Sequence, residues 1–149
     1  MQENIVLLLK QLSLALEQYG RERMKKLDIS PSQSLALDYL FSQKGYAVYA
    51  TELHEKFGIS KPAISSTLKG LKKKGYVETL IHPEDDRKKQ IVLTEKAYLI
   101  EKQINESLAE QQDRLCRNIP PEQRKIIKDG LRVMLDNLRN ETPRRNSMC

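Results

Sequence analysis

The order of the elements predicted for residues 51–94 constrains the fold of this chain most. A short helix ends at Gly58, and Ser60 begins a lysine-rich helix after one intervening residue. Glycine is preferred just after a helix and serine just before one, so the segment predicts a tight turn between two helices. Residues 76–81 and 88–93 follow, and their β-branched and aromatic content is typical of strands. The segment therefore predicts a helix-turn-helix with a β-hairpin wing.

The lysine-rich helix has two different faces. Ile64, Leu68 and Leu71 recur at the helical period and are predicted to face the core. The opposite face carries short hydroxyl groups and long cations, and no acidic residue occurs between Lys61 and Lys74. An exposed helix fits the DNA major groove, where such side chains contact base edges and phosphates. The candidate DNA-binding residues of this helix are Lys61, Pro62, Ser65, Ser66, Lys69 and Lys73.

The charge of the chain agrees with a polyanionic partner. Its 149 residues include 26 Lys and Arg against 20 Asp and Glu, a formal charge of +6. The positive charge concentrates in the predicted helix and wing, which favours nucleic acid. A membrane is the competing partner, but no apolar run approaches the ~20 residues that span a bilayer, and the N-terminus lacks signal-peptide features. We therefore expect a cytoplasmic protein.

Amphipathic helices are predicted at both ends of the chain. Apolar stripes lie within residues 5–19, 97–115 and 127–138. They exceed what the small winged domain can cover, so pairing with the same helices of a second copy is the economical solution, and an intramolecular three-helix core is the alternative. The predicted organisation is a helical dimerisation region (residues 1–30 and 95–140), a winged helix-turn-helix domain (residues 31–94) and a disordered polar tail (residues 141–149).

Four short motifs follow one another along the predicted helix-turn-helix and wing. They are residues 59–65, residues 71–77, Asp85-Asp86-Arg87 and Leu93-Thr94. In order and spacing they resemble the MarR-type transcriptional regulators. The resemblance continues upstream in residues 29–33, which look like the family's helix-opening segment, and downstream in a long helix predicted from Thr94. It covers nearly the whole chain and implies a mainly α-helical fold with a small β-hairpin wing.

The resemblance implies roles for particular wing residues. MarR-type regulators carry an Asp-x-Arg pattern in the wing, which falls here on Asp85 and Arg87. The arginine typically enters the minor groove and the aspartate supports it, and Lys88 is a further expected DNA contact. For Asp85 an ordinary turn-forming role is the alternative. Gly70 departs from the family pattern, in which a larger residue is more usual, and we expect it to allow close packing by another element.

The resemblance also implies how such a protein works. Family members dimerise through their first and last helices, which predicts a palindromic operator, and repression is expected over activation. Many respond to small aromatic or phenolic effectors. Tyr19, Met24 and Tyr39 are the candidate effector-binding residues, although Met and Tyr at helical spacing more often fill a core.

Other functions have little support in the sequence. His54 and His82 are the two histidines, and no cluster at ligand spacing predicts a metal site. No phosphate loop or catalytic triad is present, so neither an enzyme nor a cofactor is predicted. Cys116 and Cys149 lie far apart, which fits a reducing compartment, and Cys116 is expected to be an ordinary thiol instead of a redox switch.

An alternative from a different class is a winged-helix module that docks an acidic protein. A solvated lysine face without a partner is the simplest alternative for the helix. Protein interfaces are depleted in lysine at their centres, so the lysine-rich face favours DNA over a protein partner.

Overall fold

The computed structural model describes residues 3–82 and 84–148, with the backbone alone for residues 85–87 and 140–148. By its internal contacts the chain divides into two compact units, Met1–Gln111 and Gln112–Cys149. Within the described residues the helices are α1 (Ile5–Arg23), α2 (Pro31–Ser42), α3 (Ala50–Phe57), α4 (Lys61–Lys73), α5 (Glu95–Leu99), α6 (Glu101–Leu115) and α7 (Pro121–Met148). The strands are β1 (Val48–Tyr49), β2 (Val77–His82) and β3 (Asp85–Leu93), so the predicted mainly α-helical fold with a small wing is confirmed.

Local sequence sets where the central helices begin. The Ser30 hydroxyl accepts a hydrogen bond from the Gln33 N–H, and the Gln33 side chain accepts one from the Ser30 N–H, a capping box that starts α2. The Ser60 hydroxyl accepts from the Ala63 N–H at 3.2 Å and starts α4. Gly58 ends α3 with φ 64°, in the left-handed region that favours glycine. The predicted tight turn between the two helices is therefore confirmed.

The loop at the tip of the wing is shorter than the sequence predicted. The sheet is antiparallel in the order β1-β3-β2, with Val77 opposite Leu93 and His82 opposite Asp85. The predicted strands, residues 76–81 and 88–93, left residues 82–87 as the connecting loop, but ladder pairing carries β2 to His82 and begins β3 at Asp85. A register irregularity lies between Ile81 and His82. Strand β1 was not predicted, because two residues carry no periodic signal.

The long helix predicted from Thr94 is interrupted. Thr94 is an N-cap, and its hydroxyl accepts from the Ala97 N–H at 3.3 Å. At Ile100 the backbone has φ −104° and ψ 4°, and its N–H bonds to the Ala97 carbonyl three residues back, so α5 ends and α6 begins after it. In α7 the backbone runs to Met148, through most of the tail predicted to be disordered; the disorder of residues 141–149 stays a prediction.

The core of the first unit joins the winged elements to α6. The largest fully buried side chains are Leu37, Leu53, Leu71, Val77 and Ile104. They come from α2, α3, α4, β2 and α6, respectively. Ala97 and Ile104 of the second predicted apolar stripe are therefore buried inside the chain, which corrects the expectation that this stripe as a whole serves a second copy.

Candidate nucleic-acid interface

Helix α4 is held by its apolar side. Ile64 is 4% exposed and Leu71 is fully buried, while Leu68 is half-buried against the same cluster. From α3, Leu53 is fully buried and Phe57 meets Tyr39 edge to face, with ring centroids 5.8 Å apart. The predicted inner face of α4 is thus confirmed, and α3 packs against the same core. With this side buried, the other side of α4 must face solvent.

The outer face of α4 consists of the six predicted residues, and all six are exposed: Lys61, Pro62, Ser65, Ser66, Lys69 and Lys73. Pro62 lies in the first turn of the helix, where an N–H would have no intrahelical partner. Helix α4 contains no carboxylate, so its lysines are not neutralised from within the helix. The result is a convex surface of small hydroxyls flanked by cations, which suits a polyanion with accessible hydrogen-bonding edges. Their contact with DNA stays a prediction.

The wing carries the next predicted DNA contact, Lys88. Lys88 lies in β3 and is exposed. Asp85 and Arg87 lie in the same strand, but their side chains fall outside the described residues, so the roles that the resemblance implies for them stay predictions. At the end of β2, near the tip of the wing, His82 packs against Tyr49 of β1, with ring centroids 5.8 Å apart and 3.5 Å between Tyr49 Oη and His82 Nε2.

A polar seam joins α4 to the start of α2, and the sequence did not predict it. We define the α2–α4 seam as Thr67, Gly70 and Lys74 on one side and Asp28, Ser32 and Gln33 on the other. Lys74 Nζ donates to Gln33 Oε1 at 2.9 Å and also to the Asp28 carbonyl, and Thr67 Oγ1 donates to Ser32 Oγ at 3.5 Å. A Cβ atom at Gly70 would collide with Gln33 Nε2, so the expectation that Gly70 allows close packing is met, with Gln33 as the partner.

The three candidate effector residues differ in their burial and in their contacts. Met24 is 2% exposed and belongs to the core cluster, and Tyr19 is half-buried on α1. The Tyr39 hydroxyl donates a hydrogen bond to the Glu52 carboxylate, which ties α2 to α3. This hydrogen bond, with partial burial and the charge of Glu52, raises the pKa of Tyr39 to about 12. A cavity of about 110 Å³ near Lys44, Tyr46 and Tyr98 has none of the three candidates in its lining. Their effector role stays a prediction.

Two further expectations from the sequence concern membrane spans and Cys116. No helix in residues 3–82 or 84–148 is long and apolar enough to cross a membrane. Cys116 is a half-buried free thiol whose backbone carbonyl accepts a hydrogen bond from Arg124 Nη2 at 3.0 Å.

Known proteins share both the sequence pattern and the fold. Residues 27–88 match the model of the MarR family. The structure of the S. aureus MepR–DNA complex has 20% sequence identity and a TM-score of 0.84, covering 91% of this chain and 99% of that chain. A MarR protein from Peptoclostridium difficile has 21% identity and a TM-score of 0.84, covering 95% of this chain and 91% of that chain. The transcriptional regulator PA3341 has 28% identity and a TM-score of 0.77, covering 92% and 99%.

Among curated proteins the sequence search found no match. The matched residues begin in the turn before α2 and end in the wing, so they include α2, α3, α4, β1, β2 and the first part of β3. The transcription regulators of this family bind DNA and are not enzymes, in agreement with the prediction that this chain is not an enzyme. This chain therefore has the winged-helix fold of the solved MarR regulators, and its residues 27–88 match the model of that family.

Proposed function

We propose that this protein is a sequence-specific DNA-binding transcription regulator that acts as a homodimer and represses its target genes. The observation that carries the proposal is the outer face of α4, which is exposed along its length, free of carboxylates and held from behind by a buried apolar face. The same fold in MepR is solved in complex with DNA, which supports the proposal.

The proposed binding mode divides the contacts between two grooves. Ser65 and Ser66 approach base edges in the major groove, because short hydroxyls project little beyond the backbone and serve either base type. The lysines of the outer face neutralise phosphates on either side of the groove. Arg87 enters the minor groove beside it, supported by Asp85, and Lys88 contacts the backbone.

Two copies are proposed to bind one operator. Helix α1 exposes Ile5, Leu8, Leu9 and Leu12, and α7 exposes Ile127 and Leu131, each by 38% or more. Apolar stripes of this kind on a single chain mark an interface, and a two-fold dimer places equivalent residues of each copy together. The two copies of α4, related by that axis, meet major grooves about 34 Å apart, which requires a palindromic operator.

The proposed regulation is release of DNA by a small aromatic or phenolic effector in the cytoplasm. Tyr19 and Tyr39 offer the polar tips and aromatic surfaces that bind such compounds, and Met24 offers an adaptable apolar surface. Since Met24 is buried in the core, an effector that reaches it must repack its neighbours. Such repacking is the proposed link between effector binding and the position of the winged elements.

The test is fluorescence anisotropy with duplex DNA from upstream of the protein's own gene, against a shuffled duplex, over a salt series. A sequence-specific dimer binds the native duplex at least about 1,000-fold more tightly than the shuffled one, with a steep salt slope and two chains per site. Equal, weak binding to both duplexes contradicts operator recognition upstream of this gene. If neither duplex is bound at low salt, docking to an acidic protein becomes the better hypothesis.

Replacing Lys69 with alanine should separate phosphate contact from base contact. If Lys69 binds a phosphate, affinity falls similarly for all duplexes and the slope of log Kd against log salt decreases by about one. The control is Lys102→Ala, which removes the same charge from an exposed position on α6. A salt slope unchanged from the wild type, with preference relaxed at one operator position, would instead assign Lys69 to a base.

Replacing Arg87 with alanine should weaken operator binding by up to about 3 kcal/mol. The loss should be largest on operators with A·T-rich flanks, because a narrow minor groove concentrates negative potential there. Titration of operators that differ only in those flanks measures the effect, with Lys89→Ala as the control in the same strand. Equal affinities of Arg87→Ala and wild type would remove Arg87 from the interface.

A further inference from the structure

We propose that Gln33 and Lys74 are positioning residues, which fix α4 against the start of α2 and so set the orientation of its outer face toward DNA. The proposal rests on the DNA-binding function proposed above. Neither side chain belongs to the outer face; both lie in the α2–α4 seam. The seam occupies a third side of α4, on which Thr67, Gly70 and Lys74 recur at the helical period.

Gln33 connects α2 and its N-cap to α4 with one buried amide. Its side chain is 9% exposed, and its Oε1 accepts from the Ser30 N–H at 3.1 Å and from Lys74 Nζ at 2.9 Å. The Gln33 backbone N–H donates to Ser30 Oγ at 3.2 Å, which completes the capping box of α2. The side-chain amide therefore cannot move without breaking half of that box. The amide is therefore a fixed point, and α4 is held to it through Lys74.

Lys74 differs from the lysines that precede it. Lys72 and Lys73 are exposed, whereas Lys74 is half-buried and turns back to Gln33 and to the Asp28 carbonyl. The backbone around it is also held: Lys96 Nζ donates to the Lys74 carbonyl at 2.6 Å, and Thr94 Oγ1 donates to the Gly75 carbonyl at 2.6 Å. A hydrogen bond from a charged donor is stronger than a neutral one, so the bonds donated by Lys74 Nζ are the strongest directional contacts in the seam.

Gly70 makes the close approach to Gln33 feasible. The Gln33 Nε2 atom occupies the space that a Cβ atom at Gly70 would need. Glycine costs about 1 kcal/mol relative to alanine inside a helix, so its presence in α4 calls for a compensating contact. The seam supplies that contact, because a Cβ atom at this position would displace the Gln33 amide from its bonds to Ser30 and Lys74.

Orientation needs these polar contacts because the apolar side of α4 cannot supply it alone. Burial of Ile64 and Leu71 is favourable but non-directional, and it tolerates small rotations of the helix. Hydrogen bonds restrict both distance and angle. Ser66, Lys69 and Lys73 each lie next to a seam residue in the sequence, so a rotation at the seam moves them directly.

The first test compares Lys74→Met with Lys72→Met, which removes the same charge from the same turn. The probes are the duplex that the wild type selects from a randomised pool and a shuffled duplex of equal composition. We expect Lys74→Met to lower affinity for the selected duplex about tenfold more than Lys72→Met does, while both lower affinity for the shuffled duplex equally. Equal affinities of the two variants for the selected duplex would overturn the proposal. Thermal unfolding of both variants shows that the comparison is between folded proteins.

A second test does not depend on DNA. Spin labels at Leu35 on α2 and Ser66 on α4, both exposed, report the distance between the helices in a chain with Cys116 and Cys149 replaced by serine. Lys74→Met should shift or broaden the distance distribution, and Lys72→Met should leave it unchanged. An unchanged distribution in Lys74→Met would overturn the proposal even if the wild type selects no duplex, an outcome that by itself removes only the proposed function.

A third test uses the contact between Gly70 and Gln33. Gly70→Ala should broaden the same distance distribution because its methyl group displaces the Gln33 amide, and Gln33→Ala should broaden it because the bond to Lys74 is lost. The double variant should be broadened no more than Gln33→Ala alone, since both substitutions remove the same contact. In operator binding, the two losses should likewise be less than additive. Additive effects in both measurements would mean that the two residues are not coupled and that the proposal is wrong.

Discussion

Leu71→Ala is expected to lower the free energy of unfolding by about 2 to 5 kcal/mol. Leu71 is fully buried, and it lies on the inner face of α4 in the cluster that also contains Leu37, Leu53 and Val77. Removing three carbon atoms there loses burial and leaves a cavity, because three other elements contribute to the same cluster and cannot all close in. A loss of that size is a large fraction of the ~5 to 15 kcal/mol by which most domains are stable.

Urea unfolding followed by circular dichroism measures this loss, at one fixed protein concentration because the proposed dimer would contribute to apparent stability. The matched control is Leu35→Ala on α2, whose side chain is 49% exposed, and its cost should stay within about 0.5 kcal/mol. A Leu71→Ala midpoint equal to that of the control would show that α4 is not anchored through Leu71.

Features that depend on neighbouring residues were predictable from the sequence. The turn between α3 and α4 follows from Gly58 and Ser60, since the left-handed backbone and the serine cap are local requirements. The two faces of α4 follow from the helical period, which sends Ile64 and Leu71 inward and leaves Lys69 outward. In both cases the chemistry that sets the structure lies within a few residues of the position it governs.

Features that depend on distant partners were not predictable in the same way. Strand β1 exists because Val48 pairs with Ile91, 43 positions further along the chain. Gly70 gave a signal, as a glycine inside a helix, but the sequence could not name Gln33 as its partner. Lys74 gave no signal, because it follows two other lysines and only the fold distinguishes it from them.

The partners of the apolar helix stripes were likewise not predictable from the sequence. The stripe within residues 97–115 was expected to serve a second copy, yet Ala97 and Ile104 are fully buried in the chain's own core. Periodicity identifies an apolar face but not what covers it. For α1 the stripe is exposed in the single chain, so a second copy remains the proposed partner there.

Leu12→Glu is therefore expected to separate the proposed dimer. Leu12 lies in the middle of the exposed α1 stripe and is 42% exposed in the single chain. A buried, unpaired carboxylate costs at least about 2 kcal/mol, and a two-fold dimer contains the substitution twice. Sedimentation equilibrium should show a single-chain mass at a concentration where the wild type has twice that mass.

Leu14→Glu provides the control, because Leu14 lies on the opposite side of α1 and is 72% exposed. It adds the same charge to the same helix and should leave the dimer intact. Operator affinity should fall by orders of magnitude in Leu12→Glu alone, since one chain engages one half-site and loses the gain from linked binding. Binding to a shuffled duplex should change equally in the two variants, because the contact between each winged domain and DNA is unaltered. A dimeric Leu12→Glu would exclude this stripe from the interface, and a monomeric one with wild-type operator affinity would show that a single chain suffices for recognition.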